Sequence, residues 1–147
     1  MTTSNPTPSE PDLPIACDPY AIPQEERELW MAKGALFYAA VKECRELPDG
    51  YGLRLDPRDL LLAAEYVSRD RLCCAFLAWE IVLEPGGGAL WLNMRGPEGT
   101  RQFLRHAFEV TALLPESVAR AVGLDLSERR PLNFESAAQI ARELDHG

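Results

Sequence analysis

Residues 75–95 constrain the fold more than any other part of the chain, because their pattern is that of a β-hairpin. From residue 75 to residue 83 the sequence pattern repeats every two residues, so that successive side chains face opposite sides of the chain. This period predicts a strand. The sequence EPGGGA then predicts a tight connection, and LWLNMR predicts the return strand. In the return strand, Leu90, Leu92 and Met94 are expected to face the core. Since a sheet with one apolar face must be covered, helices are expected to pack on it.

The sequence predicts a long helix before the hairpin and a second one directly preceding it. Pro23 suits the first turn of the first helix, which is expected to end near Glu46 because Pro48 disfavours helical geometry at the residue before it. Asp56 is expected to cap the second helix, with Pro57 in its first position. The predicted inner stripe of the first helix is Leu29, Ala32, Leu36 and Ala40, widened by Phe37 and Val41, and that of the second is Leu60, Leu61, Ala64 and Val67.

The remaining core elements are one short strand and one helix. Pro48, Asp49 and Gly50 predict a turn, and alternation from Tyr51 to Leu55 predicts a strand after it. A helix is expected to follow the sequence GPEG, with Phe103, Leu104, Ala107 and Phe108 on its inner side. The order helix-strand-helix-strand-strand-helix predicts an α+β fold, a three-stranded and mainly antiparallel sheet covered by helices.

The chain divides into three predicted regions. Residues 1–14 are rich in Pro, Ser and Thr and predict a disordered tail. Residues 15–110 form the predicted core domain. Residues 111–147 are expected to form a helical extension, packed on the core or on a partner, with a short helix at PESVARAVG and a longer one capped by Asn133.

The composition of the chain limits which classes of partner it is expected to bind and where in the cell it is expected to be found. The 147 residues carry a formal net charge of -8, which disfavours binding to nucleic acid and to anionic membrane surfaces. No apolar run approaches the roughly 20 residues of a membrane span. The N-terminal sequence lacks the basic start and apolar stretch of a signal peptide. The expected location is the cytoplasm, where the four cysteines are expected to be thiols.

The cysteine doublet Cys73–Cys74 is the strongest candidate site, because it falls where the second helix gives way to a strand. Both sulfurs can point into one pocket at such a junction. Cys17, in the apolar segment LPIAC, is the predicted third member. Thiolates prefer soft metal ions, so the sequence predicts a site for zinc, copper or a mercury-like ion. Cys44 is expected in the core, and His106 and His146 show no ligand spacing.

Two alternatives to metal binding remain open at the level of sequence. The first is a protein-interaction or dimerisation module with buried, inert cysteines, because free cysteines are often simply core residues. The second is a thiol-dependent enzyme. It is less favoured, because the negative end of a helix dipole disfavours a thiolate at Cys73 or Cys74, and Arg69 and Arg71 offset that only in part.

Three stretches of the chain resemble a family of small bacterial proteins that has no established activity. They are the IAC opening, RELPDGYGLRL, and the long stretch RDRLCCAFLAWEIVLEPGGGALWLNMRGPEGTRQFL. The resemblance covers about residues 15–108 and implies that Cys17, Cys73 and Cys74 are matched positions while Cys44 is not. The family pattern has Glu-Arg-x before the doublet and Pro-Phe after it. Here Asp70-Arg71-Leu72 and Ala75-Phe76 stand in those places, which makes the junction less rigid.

Overall fold

The computed structural model describes residues 13–146, which form one antiparallel sheet and the helices around it. The strands are β1 (Glu43–Leu47), β2 (Gly50–Leu55), β3 (Ala78–Leu83) and β4 (Leu90–Arg95). The α-helices are α1 (Arg27–Ala39), α2 (Leu60–Cys73), α3 (Thr100–Val110), α4 (Glu116–Ala121) and α5 (Phe134–His146), and 3₁₀ turns lie at Pro19–Ala21, Gln24–Glu26 and Pro57–Asp59. No helix in this part of the chain has the length and apolar character needed to cross a bilayer.

The sheet has four strands in the order β1-β2-β4-β3, all antiparallel to their neighbours. The α+β class is therefore confirmed, but the prediction of three strands is wrong. The additional strand is β1, whose residues were expected to end the first helix. It is charged along its length, with a burial pattern in which only Leu47 is buried, so it lacks the apolar alternation by which an inner strand is recognised.

Helix α1 ends at Ala39 rather than near Glu46, and of the predicted stripe only the widening residues Phe37 and Val41 are buried. Its buried residues are Trp30, Gly34, Phe37 and Tyr38. Leu29 and Leu36 of the predicted stripe are exposed. Both sets of residues have helical spacing, so periodicity alone does not select the side that meets the core.

The core lies between the sheet and helices α1, α2 and α3. Leu90, Leu92 and Met94 are buried on the inner face of β4, as predicted. Phe103, Leu104 and Phe108 of α3 are buried as expected, whereas the predicted inner residue Leu61 of α2 is exposed. The fully buried side chains at the centre include Phe37, Tyr51, Leu53, Leu55 and Phe108.

The predicted cap is confirmed for α5, whereas Asp56 caps the 3₁₀ turn before α2 and not α2 itself, whose N-cap Asp59 makes no side-chain capping bond. The Asp56 carboxylate accepts a hydrogen bond from the backbone N–H of Arg58 at 3.0 Å, at the 3₁₀ turn that leads into α2. Asn133 Oδ1 accepts from the N–H of Ser136 at 2.9 Å. Such caps satisfy the free N–H groups of a first helical turn.

The C-terminal helix α5 packs close to the N-terminal segment. Helix α5 contacts α3 and the turn at Pro19–Ala21, and its Ile140 is buried. Thr111 and Arg130 form a single β-type backbone pair, which joins the chain segments before and after α4. The boundary at residue 110 stays a prediction, and residues 1–12 of the predicted tail lie outside the described residues.

Candidate functional site

The cysteine doublet lies at the C-terminal end of α2, as the sequence predicts. Cys73 is the last residue of the helix, and Cys74 is the C-cap with non-helical backbone angles. The N–H of Cys74 still donates to the carbonyl of Asp70 at 3.0 Å, and the carbonyl of Cys74 accepts from Leu77 at 3.1 Å. The chain thus leaves the helix in a tight turn before β3.

The segment that carries Cys17 is held against this junction by its backbone. The N–H of Asp18 donates to the carbonyl oxygen of Cys73 at 2.8 Å. The Asp18 carboxylate accepts from the N–H of Tyr20 at 3.0 Å and caps the turn at Pro19–Ala21. Because the last carbonyls of a helix have no partner within it, the Asp18 contact satisfies one of them and positions Cys17 beside the doublet.

The sulfur atoms of Cys17, Cys73 and Cys74 all lie within 4.8 Å of one another, so the predicted convergence is confirmed. Cys17 and Cys74 form a disulfide, with their Cα atoms 4.5 Å apart. The Sγ atom of Cys73 lies 3.9 Å from that of Cys74. The disulfide differs from the expectation of four thiols, because the fold brings these two sulfurs to bonding distance.

Cys44 and His106 are not part of the cluster. Cys44 is a free, half-buried cysteine, although it is in β1 and not in the first helix. Burial, with Glu46 and Glu43 nearby, raises its pKa to about 12. His106 is exposed on α3, and the side chain of His146 lies outside the described residues.

The environment of Cys73 holds its sulfur in the neutral thiol form. The residue is 5% exposed. Burial raises the pKa of the thiol, and the negative charges of Asp70 and Asp18 raise it further, well above the usual range. A thiol in this state is a poor unaided nucleophile, so it does not favour the thiol-enzyme interpretation.

Asp70 is a site residue that the sequence analysis did not identify. It is 6% exposed, and its carboxylate accepts a hydrogen bond from Trp30 Nε1 at 3.1 Å. Burial raises the pKa of Asp70 to about 6, partly offset by hydrogen bonds from Trp30 and Tyr66. Asp70 lies three residues before Cys73, which places both on the same side of α2. This spacing is the one feature of the sequence that could have identified Asp70 as a neighbour of the site.

A small cavity of about 110 Å³ adjoins the cluster. Its lining is mostly apolar but includes Asp70, Cys73 and both disulfide cysteines. Two tyrosines also line it, Tyr38 and Tyr66, and their hydroxyl oxygens lie 3.2 Å apart, within hydrogen-bond distance. The sulfur cluster therefore borders a space of low polarity whose lining includes one carboxyl group.

No protein-family model, curated protein or solved structure shows a significant match to the chain. The resemblance to small bacterial proteins accordingly stays a prediction. Any functional conclusion depends on the residues and geometry of the site itself.

Proposed function

We propose that the reduced protein binds one soft metal ion through Cys17, Cys73 and Cys74. The observation that supports this most directly is that three sulfurs from two distant parts of the chain lie within 4.8 Å of one another. Two of the ligands come from one helix end and the third from a segment hydrogen-bonded to it. The resulting site is positioned by backbone contacts.

The separation of the sulfurs suits a thiolate site. With metal–sulfur bonds of about 2.3 Å, three sulfurs in a plane around one ion are about 4.0 Å apart. The 3.9 Å between the sulfurs of Cys73 and Cys74 already matches this spacing. After reduction, the sulfur of Cys17 has to move away from that of Cys74 to reach this spacing, within a cluster whose sulfurs all lie within 4.8 Å of one another.

The donor set indicates a soft and exchangeable ion. Structural zinc sites usually have four protein ligands, whereas this cluster contains three cysteines and no histidine or carboxylate among the described residues. Thiolates alone favour copper(I) and mercury-like ions, or zinc with an open position. Such a site fits sensing, transfer or detoxification of a metal ion better than a purely structural role.

The disulfide gives the site two states. Reduction breaks the Cys17–Cys74 bond: an external dithiol supplies two electrons and two protons and becomes a disulfide, or a phosphine supplies two electrons and becomes its oxide, with the protons and oxygen from water. Each sulfur then carries one proton, and the three thiols lose their protons on binding an ion. In the oxidised state two of the three ligands are consumed, so metal affinity is expected only after reduction.

The alternative of inert cysteines accounts for Cys44 better than for the cluster. Cys44 is single, half-buried and away from the other sulfurs. The proximity of the other three, and the partial exposure of Cys17, are what support a chemical role. A soft ion reaches the cluster from the Cys17 side.

The test is native mass spectrometry of the reduced protein, mixed under anaerobic conditions with copper(I), zinc or mercury(II) in turn. The wild type is expected to bind one ion per chain. The Cys73→Ser/Cys74→Ser variant is expected to lose binding. Cys44→Ser is the matched control, since it removes one thiol outside the cluster, and it is expected to bind like the wild type.

Two results would contradict the proposal. One is a bound ion retained by the Cys73→Ser/Cys74→Ser variant or lost in Cys44→Ser. The other is equal binding by the oxidised and the reduced protein. Circular dichroism of each variant verifies that loss of binding does not result from loss of the fold.

A further inference from the structure

Strand β3 has one side without a partner among residues 13–146. The sheet order β1-β2-β4-β3 puts β3 at one edge and β1 at the other. Every residue of β3 except Trp79 is exposed. The apolar side chains of Ile81, Val82 and Leu83 are 41%, 41% and 52% exposed.

The two edge strands of the sheet differ in charge: β1 is protected against pairing with another chain by its charged residues, and β3 is not. Edge strands of monomeric proteins are commonly blunted by charged residues, proline or a bulge. Strand β1 follows this pattern, because Glu43, Arg45 and Glu46 cover it. Strand β3 carries a single charged residue, Glu80, and that carboxylate is held by Arg95 at 2.7 Å. An unprotected apolar edge of this kind favours strand addition.

The hydrogen bonds of the hairpin show which backbone groups are free on β3. The N–H of Glu84 donates to the carbonyl of Ala89, opposite it in the hairpin. In an antiparallel sheet, the backbone N–H and C=O groups of every second residue point to the same neighbouring strand. The even-numbered residues of β3 therefore face β4, and the N–H and C=O groups of Trp79, Ile81 and Leu83 point away from the sheet.

We infer that β3 pairs with β3 of a second copy, antiparallel and centred on Ile81. A second copy is the occupant that this edge fits because one register satisfies both its hydrogen bonds and its charges. With Ile81 opposite Ile81, Trp79 lies opposite Leu83 and the free groups of all three residues find partners. The sheet then continues through both molecules, and their helices lie on the same face.

The neighbouring registers are excluded by residues on the strand. Centring the pair on Glu80 puts the Glu80 residues of the two copies directly opposite each other, with their Cα atoms about 4.5 Å apart. Two like charges in that position are destabilising. Centring it on Val82 puts Glu80 opposite Glu84 and places Pro85, which has no N–H, opposite Trp79. The Ile81 register has neither defect.

The charges in the Ile81 register are complementary. Glu80 then lies opposite Val82, and Glu84 lies opposite Ala78. Ala78 is paired with Arg95 in the hairpin, so Glu84 of one copy enters the row that contains Arg95 of the other. On the inner face, Trp79 meets Leu83 and Ile81 meets itself, which covers the apolar side chains that each copy leaves exposed.

The test uses sedimentation of the metal-free full chain over a range of concentrations. The wild type is expected to approach twice the 16.4 kDa mass of one chain. Ile81→Lys and Ile81→Glu each place like charges opposite one another and are expected to weaken dimerisation about tenfold or more. An equal mixture of the two variants is expected to restore the dimer, because opposite charges then meet at the centre. Leu61→Lys, on an exposed position of α2, is the control and leaves the dimer unchanged.

Hydrogen exchange provides a second measurement that does not depend on a variant. The N–H groups of Trp79, Ile81 and Leu83 are expected to gain protection as the wild-type concentration rises. A wild type that stays at the mass of one chain, with no such protection, overturns the inference. So does a dimer that persists in Ile81→Lys, or a mixture of the charged variants that stays monomeric although both remain folded.

Discussion

The backbone N–H of Asp18 donates to the carbonyl oxygen of Cys73 at 2.8 Å. This hydrogen bond joins the segment before α1 to the last turn of α2. It lies next to a disulfide between residues 57 positions apart in sequence. The proximity of the three sulfurs is therefore supported by the backbone as well as by the covalent bond, and the cluster is expected to persist after reduction.

A count of thiols checks the pairing of the cysteines. Cys44 and Cys73 are the free cysteines, so the oxidised chain is expected to expose these two to a chromogenic thiol reagent when it is unfolded. The native protein is expected to react more slowly, because Cys73 is buried and its raised pKa keeps it protonated. Four thiols in the unreduced, unfolded chain would show that Cys17 and Cys74 are not linked.

Loss of the disulfide is expected to lower the free energy of unfolding. Chain-entropy treatment of a loop of this length gives about 4 kcal/mol, and measured effects are typically about 2–4 kcal/mol. Urea unfolding of oxidised wild type and Cys17→Ser measures the difference. Cys44→Ser is the control and is expected to cost no more than about 1 kcal/mol. Equal midpoints for wild type and Cys17→Ser would mean that the link does not constrain the unfolded chain.

The sequence predicted the hairpin and its inner face well, because alternation in a strand that is covered on one side is a strong signal. Strand β1 was missed for the opposite reason. As an edge strand with charged residues at Glu43, Arg45 and Glu46, it shows no apolar alternation, and its sequence predicts the end of a helix instead. Helix α1 was predicted, and Phe37 of its predicted stripe is buried, but the centre of the buried side was misplaced, since Leu29 and Leu36 have the same spacing as Trp30 and Phe37.

The candidate site was predicted in its cysteines but not in its surroundings. Cys17 was included because an apolar segment is unlike a free tail, and the structure places it at the doublet. Asp70 was missed because a lone aspartate on a helix is usually solvated. Its burial depends on Trp30, forty positions away in sequence, which donates to it, and no local pattern records such a contact.

Gly50 is expected to tolerate no side chain, because β2 and β4 approach closely there. A Cβ atom at Gly50 would lie far inside contact distance of the Met94 carbonyl oxygen. Gly50→Ala is therefore expected to destabilise the fold by about 3 kcal/mol or more, since backbone atoms have to shift. Gly87→Ala is the control: it meets no atom within 4 Å, but φ is +71, so only about 1 kcal/mol of backbone strain is expected. Urea unfolding measures both, and similar losses would contradict the close approach.

Asp70 is expected to give the protein a component of stability that falls as pH rises. Burial raises its pKa from 3.8 to about 6 in the folded chain, so the folded state holds this proton more tightly than the unfolded state. The contribution is complete below about pH 4 and is lost as pH rises through about 6. The shift corresponds to a loss on the order of 3 kcal/mol across that interval.

Asp70→Asn isolates this contribution, because the amide does not titrate and its oxygen still accepts from Trp30 Nε1. The difference in unfolding free energy between the variant and the wild type is expected to change in favour of the variant from pH 4.5 to pH 7.5. Carboxylates with lowered pKa values, such as Glu65 and Glu80, act in the opposite direction but are present in both proteins and cancel in the difference. Urea unfolding at several pH values measures it. A constant difference across the range would mean that Asp70 is ionised in the folded protein throughout, which is incompatible with its burial.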